Sequence, residues 1–363
     1  MKMGGHQKLN WILKNHDLPK VLNHLFSFEI NNNEIEEFQK AFVLLIKEAK
    51  KKLDKFPPFF KKNLKNVLSI PELRKQSPSQ PLKLGKIIYL PIKENDCFYV
   101  LGDIHGDINT LRTFLEKIHF VRNRNENIKI ILLGDYIDRG LHGLNILLVI
   151  LFLKKHFHKQ VFLLQGNHEV WKDEKEKLTS TATGDNLFLE FWQNHFHYET
   201  LKEIKNFFDA LPAMLILSNG IILVHGGIPR PREENNELNY NYLKSLNNLN
   251  DNSTLLEMLW SRPEEKEDVI ITYGSHDFSF AKKQYEAFIN RIKGKLMIRA
   301  HDPFLPGYQA FFNGKLLSIF STGGEGNQTA YSPYTNINPV YLQILPEDIN
   351  IYPIFPFKKI KLK

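Results

Sequence analysis

The sequence predicts an α/β protein, and three observations support that fold class. Short apolar runs rich in β-branched residues each end abruptly in polar residues, as the buried strands of a sheet do. Helical patterns lie between these runs, and strands that alternate with helices are typical of layered sheets. The pattern of residues 1–84 is instead helical, and it predicts a helical N-terminal extension before the sheets.

The clearest helix of the N-terminal segment is predicted over residues 34–55. Apolar side chains recur there every three to four residues and draw a stripe along one face of a helix. These side chains are Ile35, Phe38, Phe42, Leu45 and Ile46. Pro57 and Pro58 end the pattern, a shorter helix is predicted over 64–73, and the Ser/Pro-rich residues 77–81 predict an extended connector.

Five strands are predicted from residue 86 onwards, each followed directly by polar residues. They are residues 97–101, 128–133, 160–165, 221–224 and 295–300. Helices are predicted between them, most clearly over 144–157 and 187–211. Functional groups gather where such strands end and loops begin, so we expect the site at these strand ends.

Composition excludes several classes of protein. Of the 363 residues, 42% are hydrophobic and 24% are charged, so the chain can bury a core and is not expected to be disordered. One cysteine cannot form an internal disulfide, which fits a reducing compartment. The longest apolar run, residues 146–153, is far shorter than the roughly 20 residues of a membrane-spanning helix. The first 20 residues lack the apolar stretch of a secretory signal, so we expect an intracellular, cytoplasmic protein, with delivery into a host cell left open.

The net charge of +8 is concentrated at the two ends of the chain. Residues 1–90 hold 17 Lys and Arg against 8 Asp and Glu, and residues 358–363 form a basic tail with four lysines. Lysines predominate over the arginine clusters typical of nucleic-acid recognition, so no nucleic acid is expected. The basic ends predict either a solvated surface or a face for an acidic partner or a membrane surface.

The predicted strand ends carry side chains that bind metals. These are Asp103, His105, Asp135, Asn167, His225 and His301. Alternate residues just past a strand can project to the same side, so Asp103 and His105 can reach one cation. Carboxylate, imidazole and amide oxygen suit manganese, iron or zinc better than a metal that prefers thiolates. Because single ligands come from separate strands, the fold must assemble the site.

Five short motifs carry these ligands, and each motif alone is a weak signal. They are GDIHG (102–106), GDYIDRG (134–140), GNHE (166–169), HGG (225–227) and RAH (299–301). The first three are separated by 27 and 25 residues, and each gap has room for one helix and one strand. Their joint occurrence in this order is far more specific than any single motif.

Together these motifs resemble the signature of the PPP family of metal-dependent serine/threonine phosphatases, over about residues 85–325. The resemblance implies a metallophosphoesterase fold, in which helices flank a central β-sandwich. It also implies a catalytic domain over residues 85–357, between the helical extension of residues 1–84 and the basic tail of 358–363. A phosphorylated protein would be the substrate.

The resemblance also implies a role for each motif residue. Asp103 and His105 would bind one divalent cation, Asp135 would bridge two cations, and the remaining ligands of the second would be Asn167, His225 and His301. Manganese is the expected metal, with iron or zinc as alternatives. An activated hydroxide would attack phosphorus without a covalent phosphoenzyme.

The leaving serine oxygen needs a proton, and His168 in GNHE would donate it. Asp138 would hold His168 in the required tautomer. Arg139 resembles the family's phosphate-binding arginine, because a guanidinium matches two phosphate oxygens. Arg262, directly after Trp260-Ser261, is the candidate for a second phosphate-binding arginine, with Arg230 and Arg232 as competitors.

Three departures from the eukaryotic pattern make the sequence resemble bacterial-type members more closely. Asp107 and Asp302 stand where eukaryotic members usually have glutamine. Residues 320–324 (FSTGG) stand where eukaryotic members carry Ser-Ala-Pro-Asn-Tyr, so the aromatic lip of the site is missing or rebuilt. A bacterial effector phosphatase, and activity on phosphotyrosine as well, are therefore included in the prediction.

Two alternative functions stay open at this point. The first is a phosphoesterase of the same superfamily that cleaves diadenosine tetraphosphate or another phosphoester. Asp138 argues against the dinucleotide hydrolases. Broad phosphodiesterases usually carry His-x-His at the last motif, and the second histidine is absent here, because Asp302 and Pro303 follow His301. The other alternative is a catalytically dead binding module, which should have lost a metal ligand or His168, whereas all are present.

Overall fold

The computed structural model describes residues 17–53, 55, 66–120, 125–182, 187–234 and 237–355. The α-helices within these residues are α1 (Leu18–Phe26), α2 (Ile35–Leu53), α3 (Ile70–Gln76), α4 (Ile108–Lys117), α5 (Gly143–His156), α6 (Leu187–Trp192), α7 (Tyr198–Phe208), α8 (Asn252–Trp260) and α9 (Lys282–Ile292). The strands are β1 (Leu82–Leu84), β2 (Ile87–Leu90), β3 (Cys97–Leu101), β4 (Ile128–Leu132), β5 (Val161–Leu163), β6 (Trp171–Glu174), β7 (Lys177–Ser180), β8 (Met214–Leu217), β9 (Ile221–Val224), β10 (Arg232–Glu234), β11 (Glu237–Asn239), β12 (Arg262–Pro263), β13 (Ile270–Thr272), β14 (Phe278–Phe280), β15 (Leu296–Arg299), β16 (Tyr308–Phe311), β17 (Leu316–Ile319), β18 (Val340–Ile344) and β19 (Ile349–Pro353).

Two large sheets form the centre of the protein. One has seven strands in the order β1-β2-β8-β9-β15-β17-β16, and the other has five in the order β19-β18-β3-β4-β5. In the five-stranded sheet β3, β4 and β5 are parallel, and α4 and α5 connect them as crossover helices. In the seven-stranded sheet β9, β15 and β17 are parallel. Antiparallel strands complete both sheets.

Successive side chains of the strands point to opposite faces of the sheets, and this creates three apolar cores. In β3, Phe98 and Val100 point into a core shared by both sheets, whereas Leu101 points to a second core with helices α1, α2, α5 and α7. In β2, Ile88 faces the shared core and Tyr89 faces a third core that includes residues of α3 and α9. Because successive side chains of a strand point to opposite faces, apolar runs with no polar face indicate strands buried on both sides. The predicted α/β fold, a β-sandwich flanked by helices, is therefore confirmed.

The five predicted strands occur as β3, β4, β5, β9 and β15, with ends that differ by no more than two residues. The predicted helix over 187–211 differs, because the chain forms α6 and α7 with a break at residues 193–197. His197 is extended, and its N–H donates to the buried Gln39 side chain of α2 at 2.7 Å. The ring of Phe196 packs against Phe38 and Phe42, so contacts with α2 stabilise a break that the local sequence does not mark.

The N-terminal helices pack directly on the sandwich. Both α1 and α2 contact α5, and α2 also contacts α7. Twelve of the fourteen residues of α5 are buried, and a helix that is apolar on all sides must be covered on all sides. Asn145 of α5 fixes the end of α1 by donating to the carbonyls of Leu25 and Phe28, at 3.1 and 2.9 Å. Helices α1 and α2 therefore complete the core that α5 needs.

The predicted boundary between residues 84 and 85 falls in the turn between β1 and β2, which pair as an antiparallel hairpin. The predicted helix over 64–73 begins later, at Ile70, where Glu72 accepts from the N–H of Ser69 at 3.1 Å. The predicted basic tail, residues 358–363, lies outside the described residues. Among the helices that the structure describes, none has the length and hydropathy required to cross a bilayer.

Two adjacent leucines of α2 provide a test of this packing. Leu45 is 0% exposed in the core under α5, whereas Leu44 is 52% exposed. We expect Leu45→Ala to lower the free energy of unfolding by roughly 2–5 kcal/mol, because it leaves a cavity in a packed core. The matched change Leu44→Ala should alter it by less than about 0.5 kcal/mol. Urea unfolding followed by circular dichroism measures both, and equal effects would show that α2 is not part of the core.

Candidate active site

The predicted site residues meet at one edge of the sandwich. Three of the loops that carry them follow β3, β4 and β5 of the five-stranded sheet, and two follow β9 and β15 of the seven-stranded sheet. Each loop begins at the carboxyl end of a parallel strand, where side chains of neighbouring loops converge. The sandwich therefore brings together residues nearly 200 positions apart in the chain, as His301 and Asp103 show below.

The first group of ligands consists of Asp103, His105 and Asp135, all buried. The Nε2 atom of His105 lies 3.5 Å from Oδ2 of Asp103 and 3.4 Å from Oδ2 of Asp135. The other oxygen of Asp103, Oδ1, accepts from the backbone N–H of His301 at 2.8 Å. This bond joins the loop after β3 to the loop after β15, so Asp103 also ties the two sheets together.

The second group consists of Asp135, Asn167, His225 and His301. The Oδ1 atom of Asn167 lies 2.9 Å from Nε2 of His225 and 3.0 Å from Nδ1 of His301. The two imidazole nitrogens are 3.2 Å apart, and Nε2 of His225 is 3.4 Å from Oδ1 of Asp135. Asp135 therefore takes part in both groups, with one carboxylate oxygen turned to each.

Backbone carbonyls set the tautomers of two histidines. Nδ1 of His105 lies 3.0 Å from the carbonyl of Ile137, and Nδ1 of His225 lies 3.1 Å from the carbonyl of Leu133. A carbonyl oxygen only accepts, so each Nδ1 carries a hydrogen and each Nε2 is directed at the cluster. This is the arrangement that a metal-binding histidine requires.

The residues present fit divalent cations. Oδ2 of Asp103 and Nε2 of His105 are fully buried polar atoms without a hydrogen-bond partner among the described residues. Buried polar atoms normally have a partner, and these two face each other as lone-pair donors. Two trios of side chains have ligand atoms close enough for one ion each: His105, Asp135 and His168, and Asp135, His225 and His301. The first trio includes His168, which the sequence predicts to be a proton donor instead of a ligand.

His168 is bound to Asp138. Its Nδ1 lies 2.8 Å from Oδ2 of Asp138, so this nitrogen donates and Nε2 faces the cluster, 3.9 Å from Asp135. Burial by itself would lower the pKa of His168, but Asp135 and Asp138 outweigh burial and raise it. Asp138 is itself held in place, because its Oδ1 accepts from the N–H of Phe188 at 3.0 Å. The pair is therefore rigid and favours a protonated imidazole.

Burial and neighbouring charges have opposite effects on the pKa values of the predicted ligands. Burial alone would raise the pKa of Asp135, but the neighbouring His225 and His168 hold that pKa well below its usual range. For His301 burial dominates and lowers the pKa well below its usual value, against the opposing charge of Asp302. An ionised carboxylate and a neutral imidazole are the forms that bind cations.

Glu169 connects the loop after β4 with the loop after β5. Its Oε2 accepts from the N–H groups of Asp135 and Gly166 at 2.8 and 3.0 Å, and its Oε1 accepts from the N–H of Tyr136 at 2.8 Å. Burial and the charge of Asp135 raise the pKa of Glu169 to about 7. Glycine is required at position 166, because a Cβ atom there would lie 2.2 Å from Oδ1 of Asp135.

Arg299, in RAH, joins the last two motifs. Its guanidinium is fully buried and donates to the carbonyl of Gly226, to Oγ of Ser318 at 3.1 Å and to the carboxylate of Asp302. Asp302 is one of the departures from the eukaryotic pattern, and here it pairs with this arginine. The pair fixes the loops that carry His225 and His301.

Several site residues have strained backbone conformations. Five of the ten predicted site residues have positive φ, in the left-handed region: His105 (45°), Asp135 (53°), Asp138 (66°), Arg139 (64°) and His301 (74°). Each such residue costs of order 1–3 kcal/mol and persists where surrounding contacts hold it. Such residues concentrate at active sites, so their concentration here agrees with the predicted site. No sequence pattern revealed these backbone conformations.

Arg139 lies at the mouth of the cluster. Its guanidinium is close enough to influence the charge of His105 and His168, and its Cζ lies 5.4 Å over the ring of Tyr334. Within the described residues no carboxylate pairs with Arg139. The sequence did not indicate Tyr334, although two tyrosines within ten residues after the divergent FSTGG segment, Tyr331 and Tyr334, were a usable signal.

The three candidates for a second phosphate arginine have different surroundings. Arg262 binds the carboxylate of Asp277 at 3.0 and 3.1 Å, and its charge also acts on Asp302, beside His301. Arg230 donates to Oγ1 of Thr272 at 2.8 Å, and Arg232 pairs with the buried Glu257 at 2.9 Å. Of the three, Arg262 has the electrostatic contact with the metal-ligand loops, and it is bound to a partly exposed carboxylate.

Comparison with known proteins gives consistent relationships. The family profile described as calcineurin-like phosphoesterase matches residues 98–304. The catalytic subunit of serine/threonine-protein phosphatase 4 from Saccharomyces cerevisiae is 27% identical over 222 residues, which cover 61% of this chain and 68% of that protein. The corresponding subunit from Eremothecium gossypii is 26% identical over 225 residues, covering 61% of this chain and 67% of that protein. These two relatives are fungal, and the closeness to bacterial-type members stays a prediction.

A solved structure supports the same relationship at the level of the fold. A serine/threonine phosphatase from Saccharomyces cerevisiae with similarity to human phosphatase PP5 has a TM-score of 0.62 to this chain at 18% identity, and the match covers 90% of this chain and 92% of that one. Because the family profile spans more than half of the sequence, the resemblance predicted from the five motifs is confirmed. The chain belongs to the calcineurin-like phosphoesterase family.

Proposed function

We propose that this protein is a metal-dependent phosphoprotein phosphatase that hydrolyses phosphoserine and phosphothreonine. The observation that carries the proposal is the buried His168–Asp138 pair next to two ligand groups that share Asp135. Ligands alone would suit many metal-binding proteins. A positioned proton donor beside them is what hydrolysis of a phosphate ester with a poor leaving group requires.

In this proposal one divalent cation is held by Asp103, His105 and Asp135, and a second by Asp135 and a set of three further ligands. That set is Asn167, His225 and His301. When bound, the two cations supply Lewis acidity towards phosphate oxygens and lower the pKa of a water to near neutrality. Carboxylate, amide and imidazole ligands favour manganese, and iron or zinc would also fit.

The chain's own residues supply the proton and the orientation of the substrate. Asp138 holds Nδ1–H of His168, so the proton on Nε2 is directed towards the leaving serine or threonine oxygen. Arg139 and Arg262 would bind the phosphate oxygens from two sides, each with parallel N–H donors. Asp277 pairs with Arg262, so a bound phosphate would compete with this carboxylate for the guanidinium. Burial of His168 excludes water from the proton transfer.

Partners and location are proposed from the sequence alone. A phosphorylated protein is the proposed substrate, and an intracellular location agrees with the single cysteine. The basic ends remain the places where an acidic partner or membrane surface would bind. Residues 1–16 and 358–363 belong to these ends and lie outside the described residues.

The primary test is a panel of phosphopeptides and nucleotides. We expect phosphate release from phosphoserine and phosphothreonine peptides with Mn²⁺, and none after removal of metal with a chelator, because both ligand groups need a cation to act. Metal content is measured by plasma mass spectrometry before and after chelation. A phosphotyrosine peptide and diadenosine tetraphosphate are run in parallel. Cleavage of the dinucleotide alone would reject the proposed function, and inactivity on every substrate would favour a binding module.

The role of His168 can be separated from metal binding by the leaving group. His168→Asn should lower kcat on a phosphoserine peptide by roughly 10²–10⁴-fold, the usual contribution of a general acid. The loss should be smaller on 4-nitrophenyl phosphate, because nitrophenolate leaves without a proton. His119→Asn is the matched control, since His119 is exposed and its φ of 49° is one that asparagine tolerates. Equal losses on both substrates would contradict the proton-donor role.

The second phosphate arginine is tested with two matched variants. Arg262→Ala should lower kcat/KM for the phosphopeptide by roughly 10–100-fold, because hydrogen bonds to charged groups contribute about 1.5–3 kcal/mol. Arg230→Ala should change it by less than about threefold, as a substitution of a partly exposed residue outside the site. The reverse ranking would assign the phosphate contact to Arg230.

A further inference from the structure

We infer that Tyr334 rebuilds the aromatic wall of the site and positions Arg139, and that Asp107 holds the loop that makes this possible. The inference rests on the proposed function, because it concerns how the same site binds phosphate. Tyr334 lies at the end of a short helical turn, Ser332–Tyr334, beyond the divergent FSTGG segment of residues 320–324. An aromatic side chain therefore lies beside the site, but it comes from a position further along the chain than residues 320–324.

The position of the Tyr334 ring follows from its neighbours. Its centroid lies 6.1 Å from the ring of His105, and it meets the ring of Phe320 edge-on at 4.9 Å. Phe320, Tyr334 and Ile337 form a small apolar cluster separate from the three main cores, and Tyr334 is only 8% exposed. The ring is therefore fixed by packing beside the first ligand group.

The same ring lies under the guanidinium of Arg139, with Cζ 5.4 Å from its centroid. A cation over an aromatic face gains about 0.5–2 kcal/mol, depending on desolvation. The guanidinium makes no hydrogen bond to a described residue, so its N–H groups are available to a phosphate. The backbone of Arg139 is already strained, with φ of 64°, so a side-chain contact that fixes its direction matters for binding.

Asp107 connects this wall to the rest of the site. Its carboxylate is fully buried and caps α4, accepting from the N–H of Thr110 at 3.2 Å and from its hydroxyl at 2.8 Å. It also accepts from the loop that precedes Tyr334, namely from Oγ1 of Thr322 at 3.0 Å, N of Gly323 at 3.3 Å, Nδ2 of Asn327 at 2.8 Å and Oγ1 of Thr329 at 2.6 Å. Six donors converge on one carboxylate.

This arrangement joins two departures from the eukaryotic pattern that look independent in the sequence. The usual glutamine has one acceptor oxygen and two N–H donors, so it could not accept from these six donors. The carboxylate at position 107 and the replaced segment at 320–324 therefore belong to one hydrogen-bonded structure. Asp107 is a positioning residue that acts through the loop, and Tyr334 is a positioning residue that acts through Arg139.

The test is a double-mutant cycle between Tyr334 and Arg139. Tyr334→Leu keeps an apolar side chain in the small cluster but removes the aromatic face, and Tyr334→Phe keeps the ring as the matched control. We expect Tyr334→Leu to raise KM for the phosphopeptide roughly 2–30-fold with little change in kcat, the range that a cation–π contact implies. Tyr334→Phe should stay close to the unaltered protein. In an Arg139→Ala background, Tyr334→Leu should have no further effect.

Binding of inorganic phosphate in the presence of Mn²⁺, measured by calorimetry, gives the same comparison without turnover. Asp107→Asn should weaken phosphate binding in the same direction as Tyr334→Leu, and thermal unfolding of each variant identifies a loss that comes from misfolding. Additive effects of Tyr334→Leu and Arg139→Ala on phosphate affinity would overturn the inference. Inactivity of the unaltered protein on every phosphopeptide would overturn the proposed function, while the calorimetric cycle would still decide whether Tyr334 acts through Arg139.

Discussion

The candidate active site depends on one constraint, which is that parallel strands from two sheets end at the same edge of the sandwich. Each ligand-bearing loop starts where such a strand stops, so the pairing of the strands decides which loops meet. The bond from His301 N–H to Asp103 shows the result, since it joins the two sheets directly at the centre of the site. A shift in the register of either sheet would separate the two ligand groups that share Asp135.

Buried carboxylates hold these loops in conformations that the backbone would not adopt unaided. Glu169 accepts from three N–H groups around the site, and Asp107 accepts from two donors of α4 and four donors of the loop that precedes Tyr334. A carboxylate that accepts several backbone N–H groups fixes their positions without adding a mobile side chain to the site. Of the five site residues with positive φ, Asp135 donates its N–H directly to Glu169, so this strained residue is held by one of these carboxylates.

The N-terminal helices α1 and α2 stabilise the five-stranded sheet on the face opposite the core shared by both sheets. Helix α5 connects β4 to β5, and those two strands deliver Asp135 and Asn167 to the site. Because α5 is apolar on nearly all sides, α1 and α2 must cover it for the sheet to be stable. Residues 17–53 therefore stabilise, through the core, the sheet that carries Asp135 and Asn167.

The sequence by itself determined the strands, the order of the motifs and the side chains that are predicted to bind metal. These features are local, since an apolar run that ends in Gly-Asp or Gly-Asn-His reveals both the strand and the group at its end. It also predicted the pairing of Asp138 with His168, which the structure places at 2.8 Å. Only the tertiary structure decided the break between α6 and α7, the docking of α2 on α5, the six bonds to Asp107 and the position of Tyr334 over Arg139. Each of these depends on contacts between residues distant in the chain, and no local pattern encodes which distant residues will meet once the sheets have paired.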